Sequence, residues 1–161
     1  MRLLPYILYL LLIAMHEVIW RDVTAVYGAT INLPAFLVLA VALYKSELTT
    51  SWFGFIAGLM LAAGMPDRFG WHALVMAVVG LTVFHVRERV NVESLWTKCL
   101  LMFSGILLHN LLVILINQPG GFLHLLWYSA LTGAVYTSVL AFMFFLVKDG
   151  QVTAEKIKSI F

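Results

Sequence analysis

Side chains able to do chemistry are few in this chain, and their spacing decides between catalysis and packing. His16, His72, His109 and His124 lie in four different apolar stretches, while Glu17 and Asp67 are acidic residues near the ends of such stretches. Brought together, imidazoles and carboxylates would build a metal site or an acid/base pair. The local spacing offers neither. There is no HExxH, no HxH, no GxSxG and no Gly-rich loop leading into a lysine. His16 and Glu17 are neighbours, and adjacent helical residues diverge by about 100°, so Glu17 reads as a satisfied boundary residue. His109 and Asn110 fall near the middle of a long apolar stretch. A polar pair there is costly unless it faces other helices, which predicts interhelical hydrogen bonding. The reading assigns no catalytic, cofactor-binding or metal-ligating residue. Cys99 stands alone, so no internal disulfide forms, and it reads as a small apolar helix residue.

Composition dictates what must hold these residues in place. Of 161 residues, 63% are hydrophobic and only 11% are charged, too apolar for a soluble domain of this size to hide in one core. A lipid bilayer is the expected solvent for the remainder. Ten Lys and Arg against eight Asp and Glu give a net charge of +2, too small and scattered for nucleic-acid binding.

Six apolar segments follow in order: Leu3 to about Trp20, Leu33 to Tyr44, Ser51 to Met65, Gly70 to Val86, Leu95 to Ile116, and Phe122 to Val147. Helices are expected, because a span in lipid must satisfy its own backbone and the alternation of barrel strands is absent. The second and third are shorter than the roughly 20 residues of a perpendicular span, which predicts tilt, borrowed loop residues such as Ile31 and Leu48, or a hairpin that crosses only in part. The first carries His16 and Glu17 and exceeds the core of a secretory signal, so it reads as a retained helix. The expected layout is one all-α six-helix transmembrane domain over 1–148 with a short cytoplasmic tail over 149–161.

With six spans, Arg2, Lys45, Arg87, Arg89, Lys98, Lys148, Lys156 and Lys158 gather on one side, against Arg21 and Arg68 on the other. Basic residues resist translocation, so both termini are expected in the cytoplasm. Trp20, Trp52, Trp71, Trp96 and Trp127 all lie near segment ends, where amphipathic rings suit an interface. The break "GMPDRFG" then faces outward as a hairpin loop: Pro66 ends the third helix, Asp67 and Arg68 meet water, and Gly70 supplies a turn. Small residues outline close helix contacts: Gly54 and Gly58 form GxxxG, Gly80 sits midway along the fourth segment, and Ser129, Gly133 and Thr137 form a ladder in the sixth. Most should pack inside, and Gly133 is expected on a face open to lipid and partners.

The pattern "SWFGFIAGLMLAAGMPDRFGWHALVMAVVG", preceded by "NLPAFLVLAVAL" and followed by "RER", "SLWTKCLLMFSGILLHNLLVIL" and "LTGAVYTSVLAFMFFLV", resembles the bacterial rod shape-determining protein MreD family. The likeness runs from about Asn32 to Val147, carried by Gly54, Gly58, Gly70, Ala73 and Leu74. It implies a fold similar to the six-helix substrate-binding subunits of energy-coupling-factor transporters. It also implies a non-enzymatic scaffold in the bacterial cytoplasmic membrane that binds MreC and, through it, connects to MreB, RodA and the transpeptidase partnering RodA. No cofactor is implied, and both a monomer and a homodimer are allowed. Ala62, Asn110 and Ala35 stand where the family commonly carries acidic residues, so no role of those carboxylates transfers here.

A second function class stays open beside it: a small-ligand-binding membrane subunit of a transporter, suggested by the same architecture and by Glu17, Asp67 and His72 at the outward side. It predicts an outward cavity lined with polar groups.

Overall fold

The computed structural model describes residues 3–21, 23–25, 30–63, 68–117 and 122–149. They are mostly helical, with no strand among them. Helix α1 covers Leu4–Met15, opened by Pro5 in its first turn, and runs on through a π turn at His16–Trp20. Helices α2 (Leu33–Tyr44), α3 (Glu47–Leu61), α4 (Phe69–Arg87) and α5 (Leu95–Asn117) follow. The last helix, α6, begins as Phe122–Leu125, passes through a π turn at Leu126–Leu131 and continues as Thr132–Lys148. Three stretches are long and apolar enough to cross a membrane: Phe69–Arg87, Leu95–Asn117 and Ser129–Lys148.

The short second segment has a packing explanation. From Leu33 to Leu43 every residue of α2 except Ala40 is buried, as expected for a helix that is apolar on all sides and enclosed by others. Helices α3, α4 and α5 surround it, with a smaller contact from α6. Twelve residues reach about 18 Å at 1.5 Å per residue, and an enclosed helix needs no greater length. Ile31 stays outside it, and only Leu48 joins its neighbour, in the first turn of α3.

Helix α3 starts four residues before the expected Ser51. Ser46, in extended conformation, precedes it, Glu47 places a negative charge in the first turn, and Thr50 Oγ1 donates to the Ser46 carbonyl. This is an N-terminal signal that a count of apolar residues overlooks. At the other end of the pair, GxxxG brings α3 against α4. A Cβ on Gly58 would collide with the His72 carbonyl oxygen and Ala73 Cα, and one on Gly54 would lie 3.0 Å from the Met76 carbonyl oxygen. Gly80 meets Val38 and Thr50 side chains in the same way. These three glycines therefore serve packing within the bundle.

Gly70 departs from its expected role. It is the second residue of α4, exposed, and a Cβ there would meet nothing within 4 Å, so it supplies no turn. Pro66, Asp67 and the tail from 150 onward lie outside the described residues.

Lys45, Arg87, Lys98 and Lys148 gather at one end of the bundle. Arg87 donates to the Ala42 and Lys45 carbonyls at 2.7 and 3.1 Å, satisfying the C-terminus of α2. Lys98 is buried and ion-paired with Asp149, and the Lys148 ammonium sits over the Tyr44 ring. Arg21 and Arg68 lie at the opposite end.

Candidate functional site

That opposite end holds a cavity of about 230 Å³. Its floor is the entry to α2. Asn32 is the N-cap: its Oδ1 accepts from the Ala35 N–H at 3.1 Å, and its backbone N–H donates to Thr137 Oγ1 at 3.0 Å. The Oδ1 contact fixes the orientation of the amide, because only oxygen accepts from a backbone N–H. The two hydrogens on Asn32 Nδ2 then point to His109 Nδ1 at 3.0 Å and Asn110 Oδ1 at 2.9 Å.

The same logic orders the next layer. Asn110 Nδ2 donates to the Ala130 carbonyl at 3.1 Å, on the π turn of α6. Such turns break the regular carbonyl ladder and favour side-chain acceptance. Thr137 Oγ1 donates to the Gly133 carbonyl at 2.7 Å while receiving Asn32. His109 Nδ1, an acceptor here, leaves the ring proton on Nε2 in the neutral form. His109 is 3% exposed, and that Nε2 has no hydrogen-bond partner among the described residues. Neither has the buried Nδ1 of His72, on the α4 wall of the same cavity.

The rim is charged. Glu17 and Arg21 come from the π turn of α1 and the residue after it, 3.3 Å apart, with His16 Nδ1 3.4 Å from Glu17 on the other side. Arg68, the residue preceding α4, lines the same cavity, and Asn117 and Ser129 contribute from α5 and α6. Asn32 and Arg68, the residues that precede α2 and α4, line this space, so the N-terminal ends of both helices lie beside it. Their dipoles add positive potential to Arg21 and Arg68.

The structure thus gathers much of what the spacing left scattered. Glu17, Arg68, His72, His109, Asn110, Ser129 and Gly133 share one cavity. His16 and Glu17 do not diverge: at a π turn the angle between neighbours shrinks, and the two side chains touch. His16 is buried behind the rim, and His124, in the first turn of α6, is not part of the wall. His109 and Asn110 do bond to other helices, as expected.

Two of the three ladder residues in the sixth segment face inward, while Ser129 is exposed at the cavity. Gly133 and Thr137 are buried, and a Cβ on Gly133 would lie 3.5 Å from the Thr30 carbonyl oxygen and 3.6 Å from Asn110 Nδ2. Gly133 is therefore not on an outer face, because the Asn32 and Asn110 network draws that side of α6 onto α5. Asn32, Thr30 and Asn117 were missed by sequence reasoning. The one signal available was an Asn placed two residues before Pro34, a helix-start pattern.

Among the described residues no group of three or more His, Cys, Asp or Glu is placed to hold a metal ion. The arrangement can instead bind a small polar molecule by hydrogen bonds and charge. No family model, no curated protein and no solved structure matches this chain.

Proposed function

We propose that the chain is a six-span protein of the bacterial cytoplasmic membrane, with both ends in the cytoplasm, acting as a non-enzymatic scaffold of the cell-wall elongation machinery. The observation that carries the membrane part is the apolar exterior. Helix α1 exposes Ile7, Leu8 and Leu11, and α6 exposes Val135, Val139, Met143 and Val147 along one stripe. Each such side chain in water forgoes roughly 1.5–3 kcal/mol of burial, so lipid or a partner helix must cover them. Trp20, Trp71 and Trp127 are exposed toward the cavity end and Trp52 and Trp96 toward the basic end, in keeping with two interfacial belts.

The non-helical backbone of Thr30 to Asn32 suits this setting. Irregular backbone at membrane depth is tolerated where it lines a wet cavity, which lets a short α2 complete its crossing. The scaffold role itself rests on the resemblance to the MreD family, with an MreC-type one-span protein as partner and MreB, RodA and its transpeptidase beyond it.

Co-purification tests this reading. The tagged chain, co-expressed with the one-span periplasmic protein encoded beside it, should retain that protein, and depletion should round rod-shaped cells. Failure of both sinks the scaffold reading.

A second reading, a ligand-binding membrane subunit of a transporter, is favoured by one observation: the cavity lined by Asn110, Asn117, His72 and Arg68. It calls for a bound small molecule in the purified protein.

A further inference from the structure

The cavity has a definite chemical bias. Arg21 and Arg68 face one carboxylate, Glu17, which is already engaged by Arg21 and His16. Arg68 makes no ion pair among the described residues, and as N-cap of α4 it offers no side-chain cap to that helix. Helix N-termini attract anions through unsatisfied N–H groups and the aligned dipole. Here the residues that precede two such helices, Asn32 and Arg68, line one space with a net positive rim, so the dipoles rather than free N–H groups add to the bias. The bias is toward an anion.

The donors narrow the class. Around the opening stand the Arg68 guanidinium, the Asn117 amide and the Ser129 hydroxyl. Below them the floor is polar, built by Asn32, His109 and Asn110. Donors on several sides suit a tetrahedral group with three or more oxygens better than a planar carboxylate. The volume sets the size. A 150 Å³ cavity accommodates benzene, so about 230 Å³ accommodates roughly ten non-hydrogen atoms.

We propose that this cavity binds a phosphate group on a small polar body, presented either as the headgroup of an anionic phospholipid or as a free phosphate ester. The proposal rests on the ligand-binding reading of the cavity and leaves the scaffold reading independent. Arg68 holds the phosphate, and Asn117 and Ser129 orient it above the Asn32, His109 and Asn110 floor.

The experiment is thermal unfolding of the full chain in neutral detergent, followed by tryptophan fluorescence, with matched pairs of additives. Phosphatidylglycerol is set against diacylglycerol with the same acyl chains, and glycerol 3-phosphate against glycerol. At a hundred-fold excess over Kd, the phosphate member of at least one pair should raise the midpoint by about 5 °C or more, and its neutral counterpart should not. A shift with phosphatidylglycerol alone identifies a lipid headgroup, and a shift with glycerol 3-phosphate identifies a free ester. Arg68→Gln and Asn117→Ala should each weaken the apparent affinity at least tenfold, while Arg89→Gln, at the far end of the bundle, should leave it unchanged. Equal shifts within a pair, or shifts that survive both cavity variants, overturn the proposal. Native mass spectrometry separates the two levels of failure. A phosphate-free molecule bound to the wild type and lost from Arg68→Gln ends the phosphate assignment but keeps a ligand site, whereas no bound molecule and no thermal shift end both.

Discussion

Asn32 and Asn110, 78 residues apart, are joined at 2.9 Å by a side-chain hydrogen bond that ties the start of α2 to the middle of α5. The same Asn32 amide also caps its own helix and holds His109 in one tautomer. Replacing it with Ala removes a cap, worth about 1 kcal/mol, and strands two acceptors, each costing about 1–3 kcal/mol when buried. Asn32→Ala should therefore cost about 3–7 kcal/mol and lower the unfolding midpoint by at least about 6 °C for a chain of this length. An unchanged midpoint would show that the network contributes little.

Two glycines separate packing from conformation. Gly58→Ala drives a methyl into the α4 backbone and should destabilise by about 1–3 kcal/mol, the usual range for overpacking. Gly70→Ala meets open space in an exposed helical turn and should be neutral or stabilising by up to about 1 kcal/mol. Denaturation of both variants in detergent reads the contrast, and similar losses would contradict the α3–α4 contact.

Lys98 is buried against Asp149 while the carboxylate is partly open to solvent, so the two partners are unequal. Asp149→Asn leaves a buried ammonium uncompensated and should cost about 3 kcal/mol, near the lower end for a broken buried pair. Lys98→Met should cost less, and the double variant should recover most of the loss. Additive losses in the cycle would show that the pair is uncoupled.

Gly133→Leu tests the inward placement of the ladder. Its side chain would enter the space beside Thr30 and Asn110, so the variant should lose the phosphate-dependent thermal shift and still retain a partner bound on the outer face. Release of a partner helix with the shift intact would return Gly133 to the exterior.

The tryptophans test the membrane reading directly. In vesicles, quenchers attached near the headgroups should dim the fluorescence more than quenchers at the bilayer centre, because all five rings lie at helix ends. Stronger quenching from the centre would contradict the interfacial belts.

Long apolar runs made α4, α5 and α6 legible in the sequence, since each is bounded by charge or loop residues. The early start of α3 was written in Ser46 and Glu47, which an apolar count passes over. The His109 and Asn110 pair was legible because polar groups in an apolar stretch need partners. Its main partner was not, because Asn32 sits in a loop 77 residues from His109 and only the packing of α2 between α4 and α5 brings it there. The π turns were equally hidden. They depend on how α1 and α6 settle against their neighbours, and they bring Glu17 beside His16 and offer the Ala130 carbonyl to Asn110.

The enclosure of α2 also constrains the order of assembly. This helix is the second to be synthesised, yet α4, α5 and the Asn110 and Thr137 contacts that anchor its first turn all emerge later. A nascent chain that has made only α1 to α3 must hold α2 with most of its surface waiting for neighbours. The arrangement around α2 is complete only once the C-terminal half is made, and truncation after α5 should remove the Thr137 contact at its N-terminal end while leaving those of His109 and Asn110.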